Sequence, residues 1–177
     1  KVGGFDYQDC PPHPSWLTPP EWLGETELAS QLHLLSAQPA NKLHSQLDHG
    51  SISRATKISG HEPVLINVDD AADRGIADGA IVRVFNQRGT CLCGARLTKD
   101  IMPGVLMIST GAWFDPDING DSGLDCKHGN PNMVAPDQPT SRIGQGPGAH
   151  SCLVEIEKYQ GPLVRITAHQ PPEIEPR

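Results

Sequence analysis

Short apolar runs separated by turn signals dominate the pattern of the chain. The run from Ala80 to Asn86 alternates, with Val82 and Val84 on one face and Ile81, Arg83 and Phe85 on the other, as expected of a strand. Five further runs of four to eight residues have the same character and end at glycine, proline or polar clusters. The predicted strands are Leu32–Ser36, Pro63–Asn67, Ala80–Asn86, Thr90–Leu97, Val105–Ser109 and Leu153–Glu157.

Helical signals are few and short. One helix is predicted between the second and third strands, capped by Asp69 or Asp70 and ended by Gly75. Two long segments, 41–60 and 110–150, are polar or glycine-rich and lack clear periodicity. Loops of this length inside a compact domain are often functional, so we expect a mainly β scaffold that carries its site on these two loops.

Composition narrows the classes of protein. Apolar residues make up 37% of the 177, and 18 glycines with 17 prolines exclude a helical bundle. The net charge of −7 and the lack of a Lys/Arg cluster argue against nucleic acid and anionic membrane surfaces as partners. No apolar run is long enough to span a bilayer. A nucleotide is still compatible, because backbone N–H groups can hold phosphates.

Cysteine and histidine offer weaker candidates. The five cysteines are sparse and odd in number, so we expect reduced thiols; Cys91 and Cys93 share one strand face and are read as packing residues. His44 and His49 could be metal ligands only on a helix, which Gly50 disfavours. A small metallo- or thiol-hydrolase using His44, His49 or Cys126 is therefore a third, less favoured class of function.

Two sets of neutral polar residues remain. The first follows the first strand, and the second is the glycine-rich segment 140–148, which is neither a Walker loop nor a dinucleotide fingerprint. Each set offers hydroxyl, amide or imidazole groups that suit a large polar ligand. From composition alone, a ligand-binding role and a plain loop are equally open for the second set.

The order of several motifs resembles one known family. The string Leu34–Asp48 looks like the opening of the C-terminal domain of dimethyl sulfoxide reductase family molybdenum enzymes, in the branch with biotin sulfoxide reductase and trimethylamine N-oxide reductase. Further matching segments follow in the family's order: Ile76–Gly89, Pro103–Val105, Ser109–Pro116, His128–Asn132 and Thr140–Pro147. The resemblance covers nearly the whole chain.

The resemblance implies a double-psi β-barrel that binds molybdopterin guanine dinucleotide, two of which hold one molybdenum in the whole enzyme. It carries the cofactor contacts onto Ser36, Gln38, His44, Ser45, Gln46, His128, Asn130, Asn132, Ser141, Gln145 and Gly146. The family's protein ligand to the metal lies upstream of this segment, so no catalytic or metal-binding residue is assigned here. Trp113 is expected near the cofactor or in the core. Lys42 stands where the family commonly has arginine.

The implied organisation has three parts: an arm over 1–31 packed on the barrel through Trp16, Leu17, Trp22 and Leu23, the barrel over 32–160, and a tail over 161–177. Since the chain starts at Lys1, we expect a piece of a larger enzyme that reduces S-oxides or N-oxides by oxygen-atom transfer, inactive alone. Its partners would be the remaining domains and the cofactor. A stand-alone barrel used for protein contacts is the alternative. The cytoplasm and the periplasm both stay open.

Overall fold

The computed structural model describes residues 4, 7–24, 31–118, 123–146, 148, 151–162, 164–171 and 174. The strands are β1 (Leu32–Leu35), β2 (Pro63–Asn67), β3 (Ile81–Asn86), β4 (Gly89–Thr98), β5 (Val105–Ile108) and β6 (Ser151–Lys158). The α-helices are α1 (Ser51–Thr56) and α2 (Val68–Asp73), and a 3-10 turn covers Pro131–Met133. Within these described ranges, no helix has the length and apolar character needed to cross a bilayer.

The six strands close into a barrel in the order β1-β5-β2-β4-β3-β6. This confirms the predicted mainly β, double-psi barrel class. Strands β1 and β5 are parallel, so the chain leaves both at the same end of the barrel. Strand β6 runs antiparallel to β1 and pairs Ser151 with Leu35, which places the start of β6 at that end as well. The two long polar segments are therefore carried by one end of the barrel, which we call the loop end.

The core is built from the alternating strand positions. Val82 and Val84 are fully buried, as the alternation predicts, and Leu34, Ile66 and Leu106 pack with them. All five cysteines are unpaired, and the predicted packing role of Cys91 and Cys93 agrees with their complete burial.

Two local predictions were wrong. The cap of α2 is Asn67, whose side chain accepts the Asp69 N–H, because the last strand residue already has the extended backbone that a cap requires. The segment 41–60 holds the helix α1, which polar composition concealed.

A carboxylate of the arm bonds two parts of the barrel. Glu21 forms a two-pronged ion pair with Arg88 in the β3–β4 hairpin and accepts the Leu153 N–H at the start of β6. Trp16 is 75% exposed and Leu17 is also exposed, so these expected apolar anchors do not hold the arm. The division of the chain into arm, barrel and tail stays a prediction.

Candidate cofactor-binding site

The first polar loop leaves the end of β1 and tightens into a small turn. Leu43 and Gln46 exchange both backbone hydrogen bonds, with N···O distances of 2.9 and 3.3 Å. His44 (φ +51°) and Leu47 (φ +66°) adopt left-handed backbone conformations that cost energy for non-glycine residues. The side chains of His44, Ser45 and Gln46 are exposed and have no hydrogen-bond partner among the described residues.

The loop after β5 supports this turn from behind. Gly111, at φ +93°, passes so close to the His44 carbonyl that any Cβ would overlap it. The Trp113 indole donates to the Ser45 carbonyl oxygen at 2.7 Å, and the Thr110 N–H donates to the Ala37 carbonyl at 2.9 Å. The turn is thus held by its backbone, and its polar side chains remain available. Trp113 lies at the loop end and is only partly buried.

Beneath the turn lies a buried ion network. The Asp48 carboxylate, fully buried, accepts from Lys42 Nζ at 2.7 Å and Lys57 Nζ at 3.0 Å. Glu62 accepts from the same two ammonium groups. Burial raises the pKa of Asp48, but hydrogen bonds from Lys42, His169 and Lys57 outweigh it and hold that pKa well below its usual range. Lys42 therefore points into the protein, and its side chain is fully enclosed.

The predicted contacts in the segment 110–150 begin with His128, which is fully buried. Its Nδ1 donates to the Trp113 carbonyl oxygen at 2.9 Å, which leaves Nε2 as an acceptor without a partner among the described atoms. Burial, followed by the nearby Lys57 charge, lowers the pKa of His128 to about 4. Asn130 caps the 3-10 turn by accepting the Asn132 N–H, and Asn132 itself is exposed.

The rest of this segment folds on itself. Thr140 N–H donates to the Gly146 carbonyl at 2.7 Å, and the Ser141 hydroxyl accepts the Gly144 N–H at 2.7 Å. Gln145 is exposed and left-handed at φ +47°. The segment also contacts the arm, because Arg142 N–H donates to the Asp9 carboxylate at 2.9 Å. Among the described residues, four that are not glycine have a left-handed backbone, and two of them, His44 and Gln145, are predicted cofactor contacts.

The predicted residues are brought to one barrel end but not into one cluster. Ser36, Gln38, His44, Ser45 and Gln46 belong to the loop that the residues after β5 support, while Ser141, Gln145 and Gly146 contact their own turn. Only His128 is enclosed, and every assignment of a cofactor contact stays a prediction.

Sequence reasoning missed Asp48 and His169, and it singled out Trp113 without its role in supporting the loops at this end. Trp113 Nε1, its backbone N–H and its carbonyl each bond a different loop residue. His169 Nε2 donates to the Asp48 carboxylate at 3.0 Å. The sequence offers one signal for this network, which is the pair of opposite charges at Lys42 and Asp48 within a polar stretch.

Asp48, His128 and His169 also bring three potential metal-ligand atoms within 4.8 Å of one another. The Asp48 carboxylate already faces two ammonium groups, so an added cation would be repelled by Lys42 and Lys57. The group is better described as a hydrogen-bonded support than as a metal centre.

Comparison with known proteins decides the family. A model of the molydopterin dinucleotide binding domain matches residues 32–153. The chain belongs to this family. The dimethyl sulfoxide/trimethylamine N-oxide reductase of Cereibacter sphaeroides is 42% identical over 94% of this chain, and the biotin sulfoxide reductase of the same organism is 47% identical over 88%. The trimethylamine-N-oxide reductase of Salmonella typhi is 44% identical over 97%.

These matches confirm the resemblance and the predicted class of cofactor, a molybdopterin dinucleotide. The chain spans 20% of the length of each of these three relatives. Among solved structures, acetylene hydratase from Pelobacter acetylenicus has the same barrel fold, with a TM-score of 0.65 at 17% identity over 82% of this chain and 21% of that one. The chain is therefore a molybdopterin dinucleotide-binding barrel of the kind found in larger oxidoreductases.

Proposed function

We propose that this chain is the barrel of a larger molybdenum enzyme in which it binds molybdopterin guanine dinucleotide and helps to reduce S-oxides or N-oxides. The proposal depends on one observation above all. Both polar loops leave the same barrel end, and each presents an exposed polar side chain on a left-handed backbone, at His44 and at Gln145. Strained backbone conformations of this kind cluster at ligand-binding and active sites.

The residues present fit such a cofactor. Guanine and pterin rings carry donor and acceptor edges, and a pyrophosphate carries acceptors only. The side chains of His44, Ser45 and Gln46 supply imidazole, hydroxyl and amide groups whose hydrogen-bonding capacity is unused inside the chain. No protein cation is required, because neutral donors and backbone N–H groups can hold phosphate.

The cofactor supplies two-electron oxygen-atom transfer when it is bound. This chain contributes binding and orientation. The Gly111–Trp113 segment fixes the turn that carries His44 and Ser45, so the contacting groups are positioned before the ligand arrives. His128 stays neutral near pH 7, since its pKa is lowered to about 4, and adds no charge beside a polyanionic ligand.

The test uses the parent enzyme. Gln46→Ala and Gln145→Ala each remove one exposed amide from one loop and leave the barrel intact. We expect each to lower the guanine and molybdenum content per mole of purified enzyme, because the loss of one hydrogen bond weakens the affinity by about fivefold.

Gln160→Ala is the matched control, because this exposed glutamine follows the other end of β6, away from the loop end. It should leave the cofactor content at the wild-type level. Full cofactor content in both loop variants would refute the proposed role of the two loops in holding the cofactor.

A further inference from the structure

An open cavity of about 440 Å³ lies between helix α1 and the C-terminal segment, and the charge of its lining is opposite to that of the whole chain. Four of its lining residues are cationic or can become so, and none is acidic: Arg54, Lys57, Arg165 and His169. The chain as a whole carries a net charge of −7. The lining of this cavity therefore differs in charge from the rest of the protein, which carries more acidic than basic residues.

The C-terminal wall is fastened to the barrel. Ile166 packs where a Cβ on Gly60 would stand, 2.9 Å from its Cδ1. The Thr167 N–H and hydroxyl both bond the buried Asp115 carboxylate, and His169 bonds Asp48. These three anchors hold residues 166–169 in place, so Arg165 projects from a fixed backbone.

The two guanidinium groups come from opposite walls of the cavity. Arg54 lies in the last turn of α1, and Arg165 precedes the fastened residues. Neither is paired with a carboxylate among the described residues. The Gln170 amide oxygen, with the amide oriented to satisfy both groups, accepts from Arg165 Nε at 3.2 Å and Nη2 at 2.7 Å, which orients this guanidinium.

Lys57 is the third basic residue that lines the cavity. Its ammonium group is bonded to Asp48 and Glu62, and its side chain is almost fully buried. The charge of Lys57 is thus largely balanced, whereas Arg54 and Arg165 bring two uncompensated charges to one cavity. Guanidinium groups bind phosphate through paired N–H donors, and two of them favour a multiply charged anion over a single carboxylate.

We propose that this cavity is a binding site for a phosphate-type oxyanion, held between Arg54 and Arg165. The site lies beside the tail and shares none of the residues predicted to contact the cofactor. Its ligand could be a free diphosphate or the diphosphate portion of a nucleotide. The shared chemistry is the diphosphate group.

The test is a calorimetric titration of the 177-residue chain with sodium pyrophosphate at low ionic strength. We expect saturable binding that weakens with added NaCl, since exposed charges are screened. Arg54→Gln and Arg165→Gln should each weaken it at least tenfold. Arg83→Gln, the control, makes the same charge change at a residue that pairs with Glu157 and does not line this cavity, and it should alter affinity by less than twofold.

Titration with guanosine 5′-diphosphate distinguishes a site for free diphosphate from a site for the diphosphate portion of a nucleotide. If pyrophosphate and the nucleotide bind equally and lose the same factor in both variants, the site recognises the diphosphate group whatever carries it. If the nucleotide binds more tightly and both ligands still weaken in the variants, the site holds the diphosphate portion of a nucleotide. Thermal unfolding of each variant verifies that the barrel persists.

Absence of pyrophosphate binding, or wild-type affinity in both Arg54→Gln and Arg165→Gln, would overturn the proposal. These outcomes do not depend on cofactor content of the parent enzyme. The oxyanion site and the proposed cofactor function can therefore fail separately.

Discussion

Asp48 is the residue on which the loop end depends most. Its buried carboxylate bonds two lysines, His169 and the Trp113 N–H at 3.1 Å. Asp48→Asn would leave Lys42 and Lys57 with Glu62 as their remaining carboxylate. Because an unpaired buried charge is costly, the free energy of unfolding should fall by about 3–5 kcal/mol.

Urea denaturation at pH 7 measures this loss. Asp137→Asn is the control, because Asp137 is exposed and its loss should change stability by less than about 0.5 kcal/mol. Equal stability of Asp48→Asn and wild type would show that the network contributes nothing.

His128 predicts a pH dependence of stability. Its pKa is about 4 in the folded chain and about 6.5 when unfolded. Between these two pH values the unfolded chain binds more protons than the folded chain. The contribution of His128 to the free energy of unfolding is therefore fully present above pH 6.5 and is lost as the pH falls toward 4, by at most about 3 kcal/mol. Burial also lowers the pKa of His61, which adds to the slope.

The variant His128→Asn isolates the contribution of this residue. An asparagine amide can still donate toward the Trp113 carbonyl but does not titrate. Denaturation series at pH 7.5 and 5 should therefore show a smaller loss in the variant than in wild type. An identical loss would assign the pH dependence to His61 and other groups.

At the scale of elements, two loops meet at the loop end of the barrel. Gly111, in the loop after β5, packs against the His44 carbonyl and so fixes the turn between Leu43 and Gln46. Gly111 combines a left-handed φ with a backbone carbonyl in the place of a side chain. Gly111→Ala should lower the free energy of unfolding by more than the cost of left-handed strain alone, which is about 1–2 kcal/mol. The loss is measured by thermal unfolding. The substitution should also displace the His44 and Ser45 amide signals in NMR spectra.

Gly79→Ala separates the two causes. Gly79 has a φ of +78° but nothing within 4 Å of an added Cβ, so that variant pays for strain alone. If both alanine variants lose the same stability, Gly111 and the His44 carbonyl are not in tight contact.

The strands could be predicted from sequence, because alternation at residues such as Val82 and Val84 directly reflects a sheet with one buried face. The resemblance correctly gave barrel closure, which no local pattern contains. The support of the turn could not be predicted, since Asp48, Trp113 and His169 meet only through long-range contacts. Helix α1 escaped detection because its single buried residue is Ser53, so apolar periodicity is missing.

Across the whole molecule, one carboxylate links three separate parts of the chain. Glu21 in the arm bonds Arg88 in the β3–β4 hairpin, with Nη2 and Oε2 at 2.9 Å, and the Leu153 N–H at the start of β6. The hydrogen bond from Arg88 lowers the pKa of Glu21 despite partial burial. The arm thus contacts the loop end through this charged group, whereas Trp16, at 75% exposed, adds little burial.

A double-mutant cycle measures this link. Glu21→Gln, Arg88→Gln and the combined variant should give a coupling free energy of up to about 1 kcal/mol, because each side chain is about one-quarter exposed and water screens the pair. Removing either partner should also increase protease cleavage of the arm while the barrel resists, since the core strands do not depend on Glu21. The cycle of Arg83 and Glu157, a more exposed pair on adjacent strands, should give a smaller coupling. Zero coupling for Glu21 and Arg88, with unchanged cleavage, would mean that this ion pair does not hold the arm.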